Sequence, residues 1–170
     1  WIPFFSDPPG SDEEIGYTGG GGIINPDSAY GFDGAAFSGD NFAYCYSYTY
    51  NYGSYTYNYD NGIRQVLTDV LADGVYTLSV QVGNPAAKNG VEVPNYRVSL
   101  YTENEVLLAT TTGAVPAGDS WTQIDLVYDY GAAPQPGELG VPLEIRLYAA
   151  DSGLSGPEVA YDDVSLTFAP

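Results

Sequence analysis

Few kinds of side chain in this sequence can do acid–base or covalent work. The chain carries 22 Asp and Glu residues, a single cysteine (Cys45) and no histidine. Without histidine, a Ser–His or Cys–His nucleophile pair is excluded, and so is any His-containing zinc site. The chemistry left is that of paired carboxylates, as in glycoside hydrolysis, where two acids stand roughly 5–10 Å apart. Among 22 acids some pair meets that spacing by chance. Carboxylates alone therefore select no catalytic pair, and the expectation is a protein that is not an enzyme.

Binding chemistry is better represented. Asp162 and Asp163 fall on opposite faces of a regular last strand. One of them could join Asp7, Asp40 or main-chain oxygens around a structural Ca²⁺, which takes several oxygen ligands. The competing reading is two solvated acids at a strand start. The sequence contains no D-x-D-x-D-G loop, so an EF-hand is excluded. The glycine run Gly19–Gly22 precedes neither a lysine nor a helix signal, which argues against a phosphate cradle. Trp121, after Gly118-Asp119-Ser120, reads either as a core plug or as a ligand platform. Cys45 reads as a small buried apolar residue, with an intermolecular disulfide as the alternative.

The densest signal is aromatic. Tyr46, Tyr48, Tyr50 and Tyr52 share one parity and are followed, after Gly53-Ser54, by Tyr55, Tyr57 and Tyr59. Gly53 at the first position of a two-residue turn suits type II′. That register sets Tyr52 opposite Tyr55, Tyr50 opposite Tyr57 and Tyr48 opposite Tyr59. Directly opposed residues point to one side of a sheet, so one face becomes a ladder of rings. The other pairs Asn51 with Thr56, Thr49 with Asn58 and Ser47 with Asp60. Three readings stay open. The ladder packs on its own domain, makes a protein–protein contact, or stacks against sugar rings.

These residues must sit on strands. Period-2 alternation recurs at Tyr76-Leu78-Val80-Val82, Tyr96-Val98-Leu100, Ile124-Leu126-Tyr128-Tyr130, Leu143-Ile145-Leu147-Ala149 and Val164-Leu166-Phe168. Residues 105–111 read as a return strand, 63–67 as a strand, and Asp69-Val70-Leu71 as at most a helical turn. Turn signals at Asp73-Gly74, Asn89-Gly90, 134–137 and Ser152-Gly153 separate the runs. Pro3 confines the first strand to a sheet edge. The pattern predicts an all-β, antiparallel β-sandwich of jelly-roll type, one domain over 1–170, with 45–60 as a projecting Tyr-rich hairpin.

Charge narrows the partners. Four basic residues against 22 acidic ones give a formal charge of -18, which repels nucleic-acid phosphates and anionic lipid headgroups. No apolar run has the length of a membrane-spanning helix.

In order and spacing, 74–83 (GVYTLSVQVG), 96–100 (YRVSL), 143–147 (LEIRL) and 159–166 (VAYDDVSL) resemble the galactose-binding-like jelly rolls of secreted bacterial proteins, among them carbohydrate-binding modules and exosortase-sorted surface proteins. The front half fits more loosely, through Phe4-Phe5-Ser6-Asp7 and 39–44 (GDNFAY). This resemblance implies an extracellular location, a non-catalytic role and often one structural Ca²⁺. Two functions follow as expectations. The first is a surface or matrix protein that self-assembles, even into filaments, through the hairpin and sheet edges. The alternative is a carbohydrate-binding module that stacks aromatic rings, Trp121 included, on a polysaccharide.

Overall fold

The computed structural model describes residues 2–6, 21–24, 42–46, 48–52, 55–83, 95–117, 120–150 and 158–170. Among them run strands β1 (Ile2–Ser6), β2 (Gly21–Ile24), β3 (Phe42–Tyr46), β4 (Tyr48–Tyr52), β5 (Tyr55–Val70), β6 (Val75–Gly83), β7 (Asn95–Thr102), β8 (Leu107–Ala114), β9 (Trp121–Asp129), β10 (Pro142–Ala150) and β11 (Glu158–Ala169), with a 3₁₀ turn at Pro136–Glu138. They form two antiparallel sheets. The first has the order β1-β5-β10-β7-β8, with β4 also paired to β5; the second has the order β2-β3-β11-β6-β9. This is the predicted jelly-roll sandwich. Pro3 lies on the edge strand, as its missing N–H requires.

Alternation sorts the side chains. Leu78, Val80 and Val82 of β6, Val98 and Leu100 of β7, and Leu143, Leu147 and Ala149 of β10 are all buried in one core between the sheets. Each aliphatic side chain fully removed from water contributes about 1.5–3 kcal/mol. Cys45 is fully buried there, its Sγ donating to the Leu147 carbonyl at 3.4 Å. Beside it Tyr161 is equally buried and donates its hydroxyl to the Tyr148 carbonyl. Gly74 makes the turn before β6 at φ +151°, where a Cβ would stand 2.6 Å from the Ala169 carbonyl oxygen.

Three expectations need correction. Asp69-Val70 is no helical turn: β5 stays extended through Val70. Phe168 is 47% exposed, its ring centroid 4.8 Å from that of Tyr76. A bulge between Asp162 and Ser165 shifts the register of β11, so its inward series runs Val159 and Tyr161 before the bulge and continues after it with Val164 and Leu166, which pack against the core as expected. Finally, Tyr46 is not part of the hairpin. It closes β3 in the second sheet, opposite Glu158, and the chain changes sheets between β3 and β4. The hairpin is β4 with the start of β5, in the expected register: Tyr48↔Tyr59, Tyr50↔Tyr57 and Tyr52↔Tyr55.

The outer face of the first sheet is closed by paired charges. Glu144 has a side-chain exposure of 2% and lies 3.6 Å from Arg64. It also accepts from Arg146, which reaches Glu105 as well. Arg146 stacks over Tyr101 at 4.1 Å and Arg97 over Tyr148 at 4.0 Å. Burial works against the Arg146 charge, but hydrogen bonds with Glu105, Glu144 and Tyr148 outweigh it and hold the guanidinium protonated above its ordinary range.

Candidate active site

The outer face of the second sheet is built differently. On β6 the core takes Val80 and Val82, which turns Gln81 and Gly83 outward. On β11 the core takes Val159 and Tyr161, which turns Ala160 outward and, next along the strand, Asp162. On β3 the burial of Cys45 turns Tyr44 the same way. Strand order brings these positions into rows. One runs Trp121–Gly83–Ala160–Tyr44–Gly22 across β9, β6, β11, β3 and β2. The next runs Gln123–Gln81–Asp162, and a third Asp125–Ser79–Ser165.

The first row is two rings around a floor of small residues. Gly83 has a positional reason: a Cβ added there would stand 2.5 Å from Cδ2 and Cε3 of Trp121. The indole therefore lies directly on the Gly83 backbone. Outward-facing residues of a sheet normally meet water, yet Gly83 and Ala160 are buried and Gln81 is 8% exposed. Trp121, Tyr44 and Asp162 are half-buried. Farther along the same face Asp125 and Thr167 are exposed, and Val127 is 56% exposed. One end of this face is thus shielded from water, with Gly83 beneath the Trp121 indole itself, and the rest is open surface; the shielded end is the candidate recess.

The bulge in β11 aims the carboxylate into the polar row. Asp163 takes φ +47°, and its N–H donates to Asp162 Oδ1 at 2.7 Å. Bulges are a common device for redirecting a side chain beside an active site. Asp162 and Gln81 are directly opposed, which places their Cβ atoms about 4.5–5.5 Å apart. Asp125 has a different role. It accepts from Ser79 at 2.7 Å and from Gln123 at 2.9 Å, and those bonds hold its carboxyl below the ordinary range. It stays an anion on open surface, which leaves Asp162 as the carboxyl group of the recess among the described residues.

Two residues singled out from the sequence, Trp121 and Asp162, therefore share one recess. Asp163 is exposed at the bulge. Asp7 and Asp40 lie outside the described residues, so the full Ca²⁺ set does too. Among the described residues no group of three His, Cys, Asp or Glu side chains converges. The hairpin tyrosines Tyr48, Tyr50, Tyr52, Tyr55, Tyr57 and Tyr59 are placed by strand register alone. Tyr44, Gln81, Gly83 and Ala160 were not anticipated. Their parity was legible, but their adjacency to Trp121 depends on the order of β9, β6 and β11.

Two aromatic rings and one carboxyl group at the shielded end of a sheet face suit a small planar molecule. Comparison with known proteins decides the family. The HpiC1-like family model, described as HpiC1 cyclase, matches residues 7–167. The chain belongs to the HpiC1-like cyclase family.

Solved structures agree. A cyclase from Fischerella sp. TAU in complex with 4-(1H-indol-3-yl)butan-2-one is 28% identical, with a TM-score of 0.67 over 99% of this chain and 85% of that one. The Stig cyclase Fisc from the same source, in complex with (3Z)-3-(1-methyl-2-pyrrolidinylidene)-3H-indole, is 26% identical, with a TM-score of 0.65 over 99% and 85%. Carbohydrate-binding domains share the fold alone: the CBM22-1 xylan-binding domain of Paenibacillus barcinonensis Xyn10C is 15% identical, with a TM-score of 0.53 over 96% of this chain and 85% of that one. No curated protein matches the chain in sequence.

Membership of an HpiC1-like cyclase family overturns the non-enzymatic expectation, and with it the self-assembling matrix protein, the filament subunit and the polysaccharide partner. The resemblance to galactose-binding-like jelly rolls holds for the fold. It misled on function because cyclases and carbohydrate-binding modules share that scaffold. The absence of histidine excluded nucleophilic triads but not catalysis by a carboxyl group among aromatic rings.

Proposed function

We propose that this HpiC1-like protein is a cyclase for a small aromatic substrate of the indole class, held between Trp121 and Tyr44 with Asp162 as its acid–base group. The observation that carries this reading is the placement of a half-buried carboxyl group and two half-buried aromatic rings, by strand register, at the one shielded end of the second sheet's outer face. The indole ligands of the Fischerella cyclases support the substrate class.

The residues suggest the division of labour. Trp121 and Tyr44 supply ring faces that hold a planar substrate and stabilise positive charge developing on it. The Asp162 carboxyl group gives a proton to an unsaturated side chain of the substrate. The ring closes onto the resulting cation, and the Asp162 carboxylate takes a proton back, so that substrate and product are isomers. Shielding keeps water from capturing the cation.

A structural Ca²⁺ held through Asp163 with Asp7 and Asp40 belongs to the same reading, on the strength of their oxygen donors. The described acids do not by themselves form such a site, and no step above runs through a metal. Melting with and without chelator checks the ion.

The decisive experiment pairs calorimetric binding of 4-(1H-indol-3-yl)butan-2-one with turnover of an indole bearing an unsaturated side chain. Asp162→Asn is expected to lower kcat by about 10²–10⁴-fold while ligand binding persists. Full turnover by that variant would remove Asp162 from the mechanism.

A further inference from the structure

Gln81 is a buried polar side chain that the fold does not account for. It is 8% exposed, and its amide offers two donor hydrogens and an acceptor oxygen. Its cross-strand neighbours are Gln123 and Asp162. Gln123 spends its Nε2 on Asp125, and Asp162 Oδ1 takes the Asp163 amide. None of the described residues forms a hydrogen bond with the Gln81 side chain. Burying an amide without a partner is costly, so an apolar residue of the same shape would stabilise the empty protein. A buried amide with no partner in its own protein takes one from water or from a ligand, and beside Asp162 and the Trp121 ring a ligand is at hand.

We infer that Gln81 is the specificity-determining residue of the recess and reads a hydrogen-bonding group, a ring N–H or a carbonyl, on the aromatic substrate. This rests on the cyclase reading and deepens it. Gln81 stands directly opposite Asp162 and one step along β6 from Gly83, which carries the Trp121 ring. A planar ligand on Trp121 thus has its polar atom held by the amide while its reactive side chain lies at the Asp162 carboxyl group. Sites built to satisfy a substrate's hydrogen bond reject analogues that lack it far better than sites that only match shape.

The test uses the whole protein, the variant Gln81→Met and three probes: 4-(1H-indol-3-yl)butan-2-one, its 1-methyl analogue, which lacks the ring N–H, and 3-butylindole, which lacks the carbonyl. Without ligand, Gln81→Met is expected to melt at or above the wild-type temperature. It is expected to bind the ketone about tenfold more weakly. The wild type should lose about tenfold on one of the two analogues, and Gln81→Met should lose nothing further on it. A lower melting temperature for ligand-free Gln81→Met would show that the amide already has a protein partner, and would overturn the inference. So would equal affinity of both proteins for the ketone. If the wild type fails to bind the ketone at all, the indole reading fails. If it binds and Gln81→Met binds equally, only the role of Gln81 fails.

Discussion

The two outer faces of this sandwich bury polar side chains to opposite ends. On the first sheet, β10 is buried on both sides, and the outward Glu144 and Arg146 satisfy each other together with Arg64 and Glu105. Three of the four basic residues, Arg64, Arg97 and Arg146, stand on that face. On the second sheet the shielded end carries Asp162, and an amide, Gln81, that no described residue bonds. Burial alone therefore does not mark a site. A face whose charges are mutually paired is sealed, and a face that leaves a buried amide waiting is built to receive something.

The comparison can be broken most forcefully on the sealed side. Replacing Arg146 with Met removes a guanidinium whose side chain is 10% exposed and leaves Glu144, at 2%, with Arg64 at 3.6 Å in place of its hydrogen-bonded partner. Removing one member of a buried ion pair costs about 3–5 kcal/mol, so denaturant unfolding of Arg146→Met should show a loss of that size. A loss under about 1 kcal/mol would mean that the pair is effectively exposed.

A smaller effect is expected in alkali. Burial pushes the Tyr148 phenol up to about 12, with the Tyr101 phenol adding to the rise. Its folded value lies above its unfolded one, so its contribution is complete below about pH 10 and is lost as pH rises through about 12. The slope is worth about 2–3 kcal/mol in total. Tyr161 and Tyr128, also raised by burial, act in the same sense. Stability measured from pH 9 to 12 should fall less steeply in Tyr148→Phe than in the wild type. Parallel curves would count against a buried phenol.

The smallest expected change in stability lies at the recess. Gly83→Ala puts a methyl group where the Trp121 ring lies. Overpacking of this kind costs about 1–3 kcal/mol when the neighbour cannot yield. Trp121 is half-buried and can give way toward the recess, so the cost should fall at the low end of that range. Affinity for the indole ketone should instead drop by about tenfold or more. Unchanged affinity would remove Trp121 as a wall of the site.

Much of the architecture was legible in the sequence, for a local reason. Alternation is a property of consecutive residues, so the inward series of β6, β7 and β10 and the Tyr52↔Tyr55 register follow from the chain itself. Parity does not report a change of sheet, and Tyr46 therefore read as part of the hairpin although it pairs with Glu158. The recess was half legible. Trp121 and Asp162 stood out by type. Their meeting depends on β6 lying between β9 and β11, and strands so far apart in sequence leave no local pattern. Gln81 was invisible, since its importance lies in a bond that it lacks.

Cys45 gives the molecule a built-in reporter. Its thiol is sealed between the sheets, and burial drives its ionisation far beyond neutral pH. Only a thiolate reacts quickly with alkylating or disulfide reagents, so modification must wait until the sandwich parts. As the single cysteine of the chain, it turns labelling rate into a direct clock for whole-domain opening.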